Sequence, residues 1–201
     1  MVYAKSAVSS QQIIDAAIRV LARQGYAGTS LLEIAKEAGM SKGALHYHYP
    51  TKEALIHAVL ETACNAVQAR TVQAWSPSGN PFEALRKSLE ELWATRAERT
   101  DEALVVADLL ALSLSDEALR PKLAEFYELG AQQIRDYLEK NLVSRGFEPR
   151  ISLDLLPRIV IGLLDGLVMQ AFVDPDAFSP HEVVDAVQTI AIAIFAGGST
   201  T

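Results

Sequence analysis

The sequence predicts an all-α protein of about nine helices, with an N-terminal three-helix helix-turn-helix domain (residues 1–50) and a larger C-terminal helical domain (residues 51–201). Three observations predict this. Ala, Leu, Glu, Gln and Arg, all good helix formers, dominate between the turn signals. Apolar residues recur at helical spacing, and no segment has the period-two alternation of a strand. Most of the expected helices start at a Ser, Thr or Asn cap, and several stop at Gly or before Pro. With 201 residues, half of them hydrophobic, the chain can bury a sizeable core in one or two domains.

In chain order, Ser9 and Gln12 have capping-box spacing, and Ile13, Ala17, Val20 and Leu21 follow as a helical stripe that Gly25 stops. Ser30 with Glu33 announces a second helix, which ends at Gly39. Ser41 caps a short third helix from Lys42 to about His48, terminated by Pro50, which lacks an N–H. Thr51 caps a long fourth helix to about Trp75. The stretch SPSGNP (76–81) is the clearest break. Asn80 then caps a fifth helix with Pro81 at its first position and Glu83 in the box position, burying Phe82, Leu85, Leu89 and Leu92. The sixth is expected over about Asp101–Leu114. The seventh runs from near Ser115 to Gly146, irregular at Pro121. The eighth spans about Ser152–Val173, ended by DPD (174–176), and the ninth about Pro180–Ala196.

Charge is unevenly distributed. Residues 1–60 hold six basic and four acidic side chains, net +2; the remainder holds 12 and 21, net −9, which together give the overall −7. Only the N-terminal part is therefore suited to face a polyanion. The single cysteine, Cys64, excludes an intramolecular disulfide and a cysteine-cluster metal site, which fits a reducing cytoplasm. MVYAKSAVSSQQ has no apolar core, so no signal peptide is read there. The most apolar run, Ile159 to Val173, is 15 residues long and contains Asp165, short of the roughly 20 residues of a membrane span; it reads as a helix buried all round, with no membrane partner.

Residues 29–49, TSLLEIAKEAGMSKGALHYHY, carry the pattern of a helix-turn-helix. Ile34, Ala35 and Ala38 face inward, and Ala35 is small because the third helix crosses close above it. Gly39 makes the tight turn at positive φ. Met40 and Leu45 plug the gap between the two helices. Lys42, Gly43, Ala44, His46 and Tyr47 are left outside, where short side chains and flat rings let a helix sit deep in a major groove of double-stranded DNA. Ser30, Thr51 and the N–H groups that begin the second and fourth helices suit phosphate oxygens, with Lys42 and Lys52 adding positive charge. Tyr49 reads equally as a hinge-core aromatic or a phosphate ligand, and His48 as a packing or capping residue.

The stretch TSLLEIAKEAGMSKGALHYHYPTKEALI (29–56), preceded by ARQGYAGTS (22–30), resembles the TetR family of bacterial repressors. LLDGLVMQAF (163–172) resembles the eighth helix of family members. The family usually has Tyr where this chain has His46. The resemblance implies a cytoplasmic, ligand-responsive repressor that binds palindromic operator DNA as a homodimer and is released by a small, lipophilic effector. The C-terminal domain would then bind the effector and dimerise. The implied pocket lies between the fifth, sixth, seventh and eighth helices, with Trp93, Phe126, Tyr127, Asp165, Met169 and Phe172 as expected lining. A DNA-binding regulator without an effector is the alternative.

The remaining polar residues admit two readings each. Asp165 either meets an Arg or a helix N-terminus, or lines the effector cavity. Gly162 and Gly166, with Val183, Val187, Ile190 and Ile194, either form a four-helix dimer interface from the eighth and ninth helices or belong to the chain's own core. Cys64 is either an inert buried thiol or a redox sensor. His46 and His48, two apart on a helix, point about 200° from each other and cannot chelate one ion together, and His57 and His181 are isolated. No GxSxG, phosphate loop, HExxH or framed carboxylate pair points to an enzyme, and no pattern calls for a cofactor or metal.

Overall fold

The computed structural model describes residues 2–73 and 80–195. Within them lie nine α-helices and no strands: α1 (Val2–Gly28), α2 (Leu31–Glu37), α3 (Lys42–His48), α4 (Lys52–Gln73), α5 (Pro81–Ala97), α6 (Asp101–Leu112), α7 (Arg120–Asn141), α8 (Leu156–Val173) and α9 (Pro180–Phe195). Short 3-10 turns precede and follow α7 at Glu117–Leu119 and Val143–Arg145. The expected helix ends at Trp75 and Ala196, and most of the break at 76–81, lie outside the described residues.

The caps hold the helices where the sequence places them. Ser30, Asn80 and Thr100 each accept an N–H of the first turn of α2, α5 and α6, and Thr51 accepts the Ala54 N–H at 3.1 Å. Three starts differ from expectation. Ser9 lies inside α1, which is already helical from Val2, so its capping-box spacing is incidental. Pro121 causes no irregularity, because it is the second residue of α7, where a helix has no use for the missing N–H. Residues 152–155 form a turn before α8, whose first turn carries Pro157.

The chain folds as two compact units. The first comprises residues 1–67 and 99–124, the second residues 68–98 and 125–201. In the first, α1 packs on α2 and α6, and α2 on α3; Ile13, Leu21, Ile34, Leu45, Leu55, Leu60 and Leu109 are among its fully buried side chains. In the second, α5, α8 and α9 pack on one another, around a core that includes Leu89, Leu92, Trp93, Leu138, Leu164, Val184 and Phe195. Arg86 ties α5 to α9 through Asp185 (2.5 Å) and Gln188 (3.0 Å).

One expectation about α8 fails. Leu156, Pro157, Ile161, Leu164 and Val168 are buried, but Gly162, Gly166, Met169 and Val173 are exposed. The helix is therefore buried along one face only, although among the described residues it is the one long and apolar enough by length and composition to cross a membrane. On α9, Val183 and Val187 are correspondingly part of the unit's own core and not free to meet a second chain, while Ile190 is 45% exposed and Ile194 half-buried. Of the α9 stripe, Val183 and Val187 mark the inward face, whereas Ile190 belongs to the outward one with Ala186, Thr189 and Ala193.

Candidate nucleic-acid interface

The local sequence around residues 30–49 dictates a rigid pair of short helices. Ser30 closes a capping box: its hydroxyl oxygen accepts the Glu33 N–H, and the Glu33 carboxylate accepts the Ser30 N–H at 3.0 Å and the hydroxyl at 2.8 Å. These bonds, the side-chain one foremost, hold the Glu33 carboxyl below its usual pKa. Gly39 turns the chain at φ +66, a conformation that a residue with a Cβ reaches only under strain. Ser41 then caps α3 by accepting the Ala44 N–H at 3.1 Å. The outer face of α2 is tied back to α1: Glu37 takes one bond each from Arg23 (2.7 Å) and Arg19 (2.9 Å), which lower its pKa. Gln12 of α1 donates to the Ala38 carbonyl at 2.9 Å.

This frame leaves one side of α3 bare. Leu45 is fully buried, whereas Lys42, Gly43, Ala44 and Tyr47 are exposed, Tyr47 by 83%. The Tyr47 ring stands edge-on to His48, 5.4 Å between centroids, which limits the freedom of a side chain otherwise surrounded by solvent. His46 is half-buried, and its Nδ1 lies 3.2 Å from the Pro50 carbonyl, so it braces the turn into α4.

Two expected phosphate ligands are engaged inside the protein. Tyr49 is half-buried and its hydroxyl bonds Ser10 at 2.7 Å, the hinge-core reading of that residue. The Lys52 ammonium donates to the carbonyls of Tyr26 (2.9 Å) and Thr29 (2.7 Å) and stands 3.9 Å from the centroid of the Tyr26 ring. Burial depresses its pKa. Ser30 and Thr51 remain exposed at the starts of α2 and α4, each already acting as a cap.

A recess of about 250 Å³ is lined by Tyr127, Arg158, Ile161, Gly162 and Asp165, and so gathers two of the six expected effector residues. Asp165 is paired: Arg96 of α5 donates to it at 2.8 Å, and the Tyr127 hydroxyl lies 3.5 Å away. The carboxylate in an apolar helix thus meets an Arg, the paired reading of the sequence. Trp93 is buried and packs edge-on to Phe178, Phe126 is edge-on to Tyr127, Phe172 packs against the core, and Met169 is 53% exposed. Cys64 is buried.

The family model for bacterial regulatory proteins of the tetR family matches residues 13–59, and that for the C-terminal region of BetI-type transcriptional repressors matches residues 81–196, more than half of the chain. The chain belongs to the TetR family. The HTH-type transcriptional regulator LmrA of Bacillus subtilis is 33% identical over 135 residues, 66% of this chain and 72% of that protein. The nucleoid occlusion factor SlmA of Marinobacter nauticus is 29% identical over 140 residues, 70% of this chain and 71% of that one. A transcriptional regulator from Rhodococcus sp. Rha1 shares the fold, with a TM-score of 0.76 at 22% identity over 96% of this chain and 98% of its own. The protein is thus a helix-turn-helix transcriptional regulator of the TetR family, a family of regulators and not of enzymes.

One contact in this TetR reading head has no signal in the sequence. The Tyr26 N–H donates to the carboxylate of Asp108, on α6, at 2.7 Å. The carboxylate's donor is a backbone N–H 82 positions away, so no residue type near Tyr26 could have announced it.

Proposed function

We propose that this protein is a cytoplasmic, ligand-responsive transcriptional repressor that binds a palindromic operator as a homodimer and is released by a small, lipophilic effector. Residues 1–50 would read the DNA and residues 51–201 would dimerise and receive the effector. The observation that carries the reading is the bare side of α3: Lys42, Gly43, Ala44 and Tyr47 face solvent beside a fully buried Leu45. A helix framed so tightly yet presenting small side chains and one fully displayed ring fits a major groove. Ser30 and Thr51, with the N–H groups behind them, are suited to phosphates on either side. Because one seven-residue helix spans only a few base pairs, two copies on a twofold axis are needed for an operator, with half-sites about 34–36 Å apart or a multiple of that.

The dimer contact is drawn from the exposed stripe of α8 (Gly162, Gly166, Met169, Val173) and the outer face of α9 around Ile190. An apolar helix with one uncovered face leaves a patch that water penalises until a second surface covers it. Footprinting tests the whole reading: a protected palindrome is expected, and Tyr47→Ala should abolish protection while the protein remains dimeric. A Tyr47→Ala protein that protects the site as wild type does would remove α3 from the groove.

The alternative is a DNA-binding regulator without an effector. Operator binding that survives every small lipophilic compound able to shift the melting temperature would select it.

A further inference from the structure

The backbone from Tyr26 to Thr29 leads directly into the Ser30 cap of α2, and two charged side chains hold it, one through an N–H and one through carbonyls. Gly25 breaks α1 at φ +70 and ψ 172. The Asp108 carboxylate of α6 approaches that break so closely that a Cβ on Gly25 would lie 3.6–3.9 Å from it. It accepts the Tyr26 N–H at 2.7 Å. The Lys52 ammonium of α4 takes the carbonyls of Tyr26 and Thr29 at 2.9 and 2.7 Å. Thr29 itself is 5% exposed, its hydroxyl bonded to the Gly25 carbonyl at 2.7 Å. An anion on the N–H and a cation on the carbonyls polarise the segment in the same sense, and both bonds are of the stronger, charge-assisted kind.

Asp108 is not what attaches α6 to this unit. Val105, Val106 and Leu109 are buried there and supply the apolar packing. What the carboxylate adds is direction: a single bond that registers α6 against the last turn of α1, one residue short of where α2 is launched. We propose that Asp108 and Lys52 are positioning residues that set the angle of the reading head on α6 and α4, and that Asp108 thereby fixes which half-site spacing the dimer accepts. The inference rests on the operator-binding dimer proposed above and adds the device that orients its heads.

The test uses the full-length protein and a palindrome selected by it from random DNA, then resynthesised with one base pair inserted or deleted between the half-sites. One base pair turns a half-site by about 35° and moves it about 3.4 Å, so a rigid head must discriminate. Wild type should lose about tenfold or more in affinity on each altered spacing, while Asp108→Ala should lose about threefold or less, the two heads having become adjustable. Asp108→Asn retains an acceptor oxygen and should restore most of the wild-type discrimination. A purely structural role would lower affinity by one common factor at all spacings. That pattern, or an Asp108→Ala protein that discriminates as wild type does, overturns the inference. If Asp108→Ala shows no cooperative melt, Lys52→Met must show the same narrowing, and wild-type discrimination there overturns it equally. A wild-type protein that selects no palindrome overturns the dimeric repressor reading together with this one, whereas failure of the variants alone leaves that reading standing.

Discussion

Gly166 offers the sharpest test of how two chains meet. It lies on the exposed face of α8, and a Cβ built there finds no atom within 4 Å, as is also true of Gly162. Within a single chain, therefore, Gly166→Leu should be harmless. Replacing a mid-helix glycine by a good helix former gains about 0.5–1 kcal/mol, equivalent to a rise of about 1–4 °C in melting temperature for a chain of this size. If a partner helix approaches this face, the outcome reverses. Forcing a large side chain into a packed contact costs about 1–3 kcal/mol, and in a twofold interface the same substitution acts at two symmetric places, giving about 2–6 kcal/mol. The dimer dissociation constant should then rise by about 30-fold to 10⁴-fold, at roughly 1.4 kcal/mol per decade. Sedimentation equilibrium over a dilution series reads this directly, with circular dichroism confirming that the helices persist. A Gly166→Leu protein that dimerises as tightly as wild type would refute the assignment of this face.

The other expectations concern the two units separately. Arg96→Met leaves the Asp165 carboxylate without its guanidinium; because the Asp165 side chain is 37% exposed, the cost should fall near the low end for a charged hydrogen bond, about 1–2 kcal/mol in a urea titration. The double variant Arg96→Met with Asp165→Leu should recover most of it, and a double variant no more stable than the single one would contradict the pairing. In the reading head, Glu37 and Glu33 are held below their usual pKa by Arg23 and Arg19 and by Ser30 respectively. A depressed folded value means their stabilisation is complete above the unfolded pKa of about 4.3 and disappears as pH falls through the folded one. Urea midpoints should drop between pH 5 and pH 3 in wild type by more than in Glu37→Gln, and equal pH dependence in the two would discount the Arg–Glu37 link.

What the sequence made legible was whatever is local. The capping box at Ser30 and Glu33, the positive φ at Gly39, the Ser41 cap and the burial of Leu45 all follow from residues within a turn or two of one another. The exposure of Lys42, Gly43, Ala44 and Tyr47 follows in turn, since the inward positions of α3 were already taken. Long-range partners were not legible. Lys52 and Tyr49 carry groups equally able to bind phosphate or protein, and only the fold brings Tyr26, Thr29 and Ser10 to them. The reading of α8 as buried all round failed for a related reason: composition measures how much apolar surface a helix has, not how much its own chain can cover. The uncovered remainder is what the sequence could not assign to the chain's own core or to a second copy.

These internal engagements bear on how salt should act on operator binding. Residues 1–60 hold six cations, but Arg19 and Arg23 are bonded to Glu37 and Lys52 to two carbonyls. Among the described side chains of this stretch, Lys36 and Lys42 are the cations held by neither an ion pair nor a hydrogen bond, and Lys42 stands on the exposed face of α3. Counterion release counts cations, not neutral donors, at about 0.9 per phosphate neutralised. With one or two such lysines on each of two heads, the logarithm of the binding constant should fall with the logarithm of salt concentration at a slope of about −2 to −4. The remaining phosphate bonds would come from Ser30, Thr51 and backbone N–H groups, which hold register and leave the slope unchanged. Binding isotherms at several potassium chloride concentrations measure it. A slope steeper than about −6 would require Arg19, Arg23 or Lys52 to abandon its internal partner on DNA, and the head would then be a less rigid body than its hydrogen bonds describe.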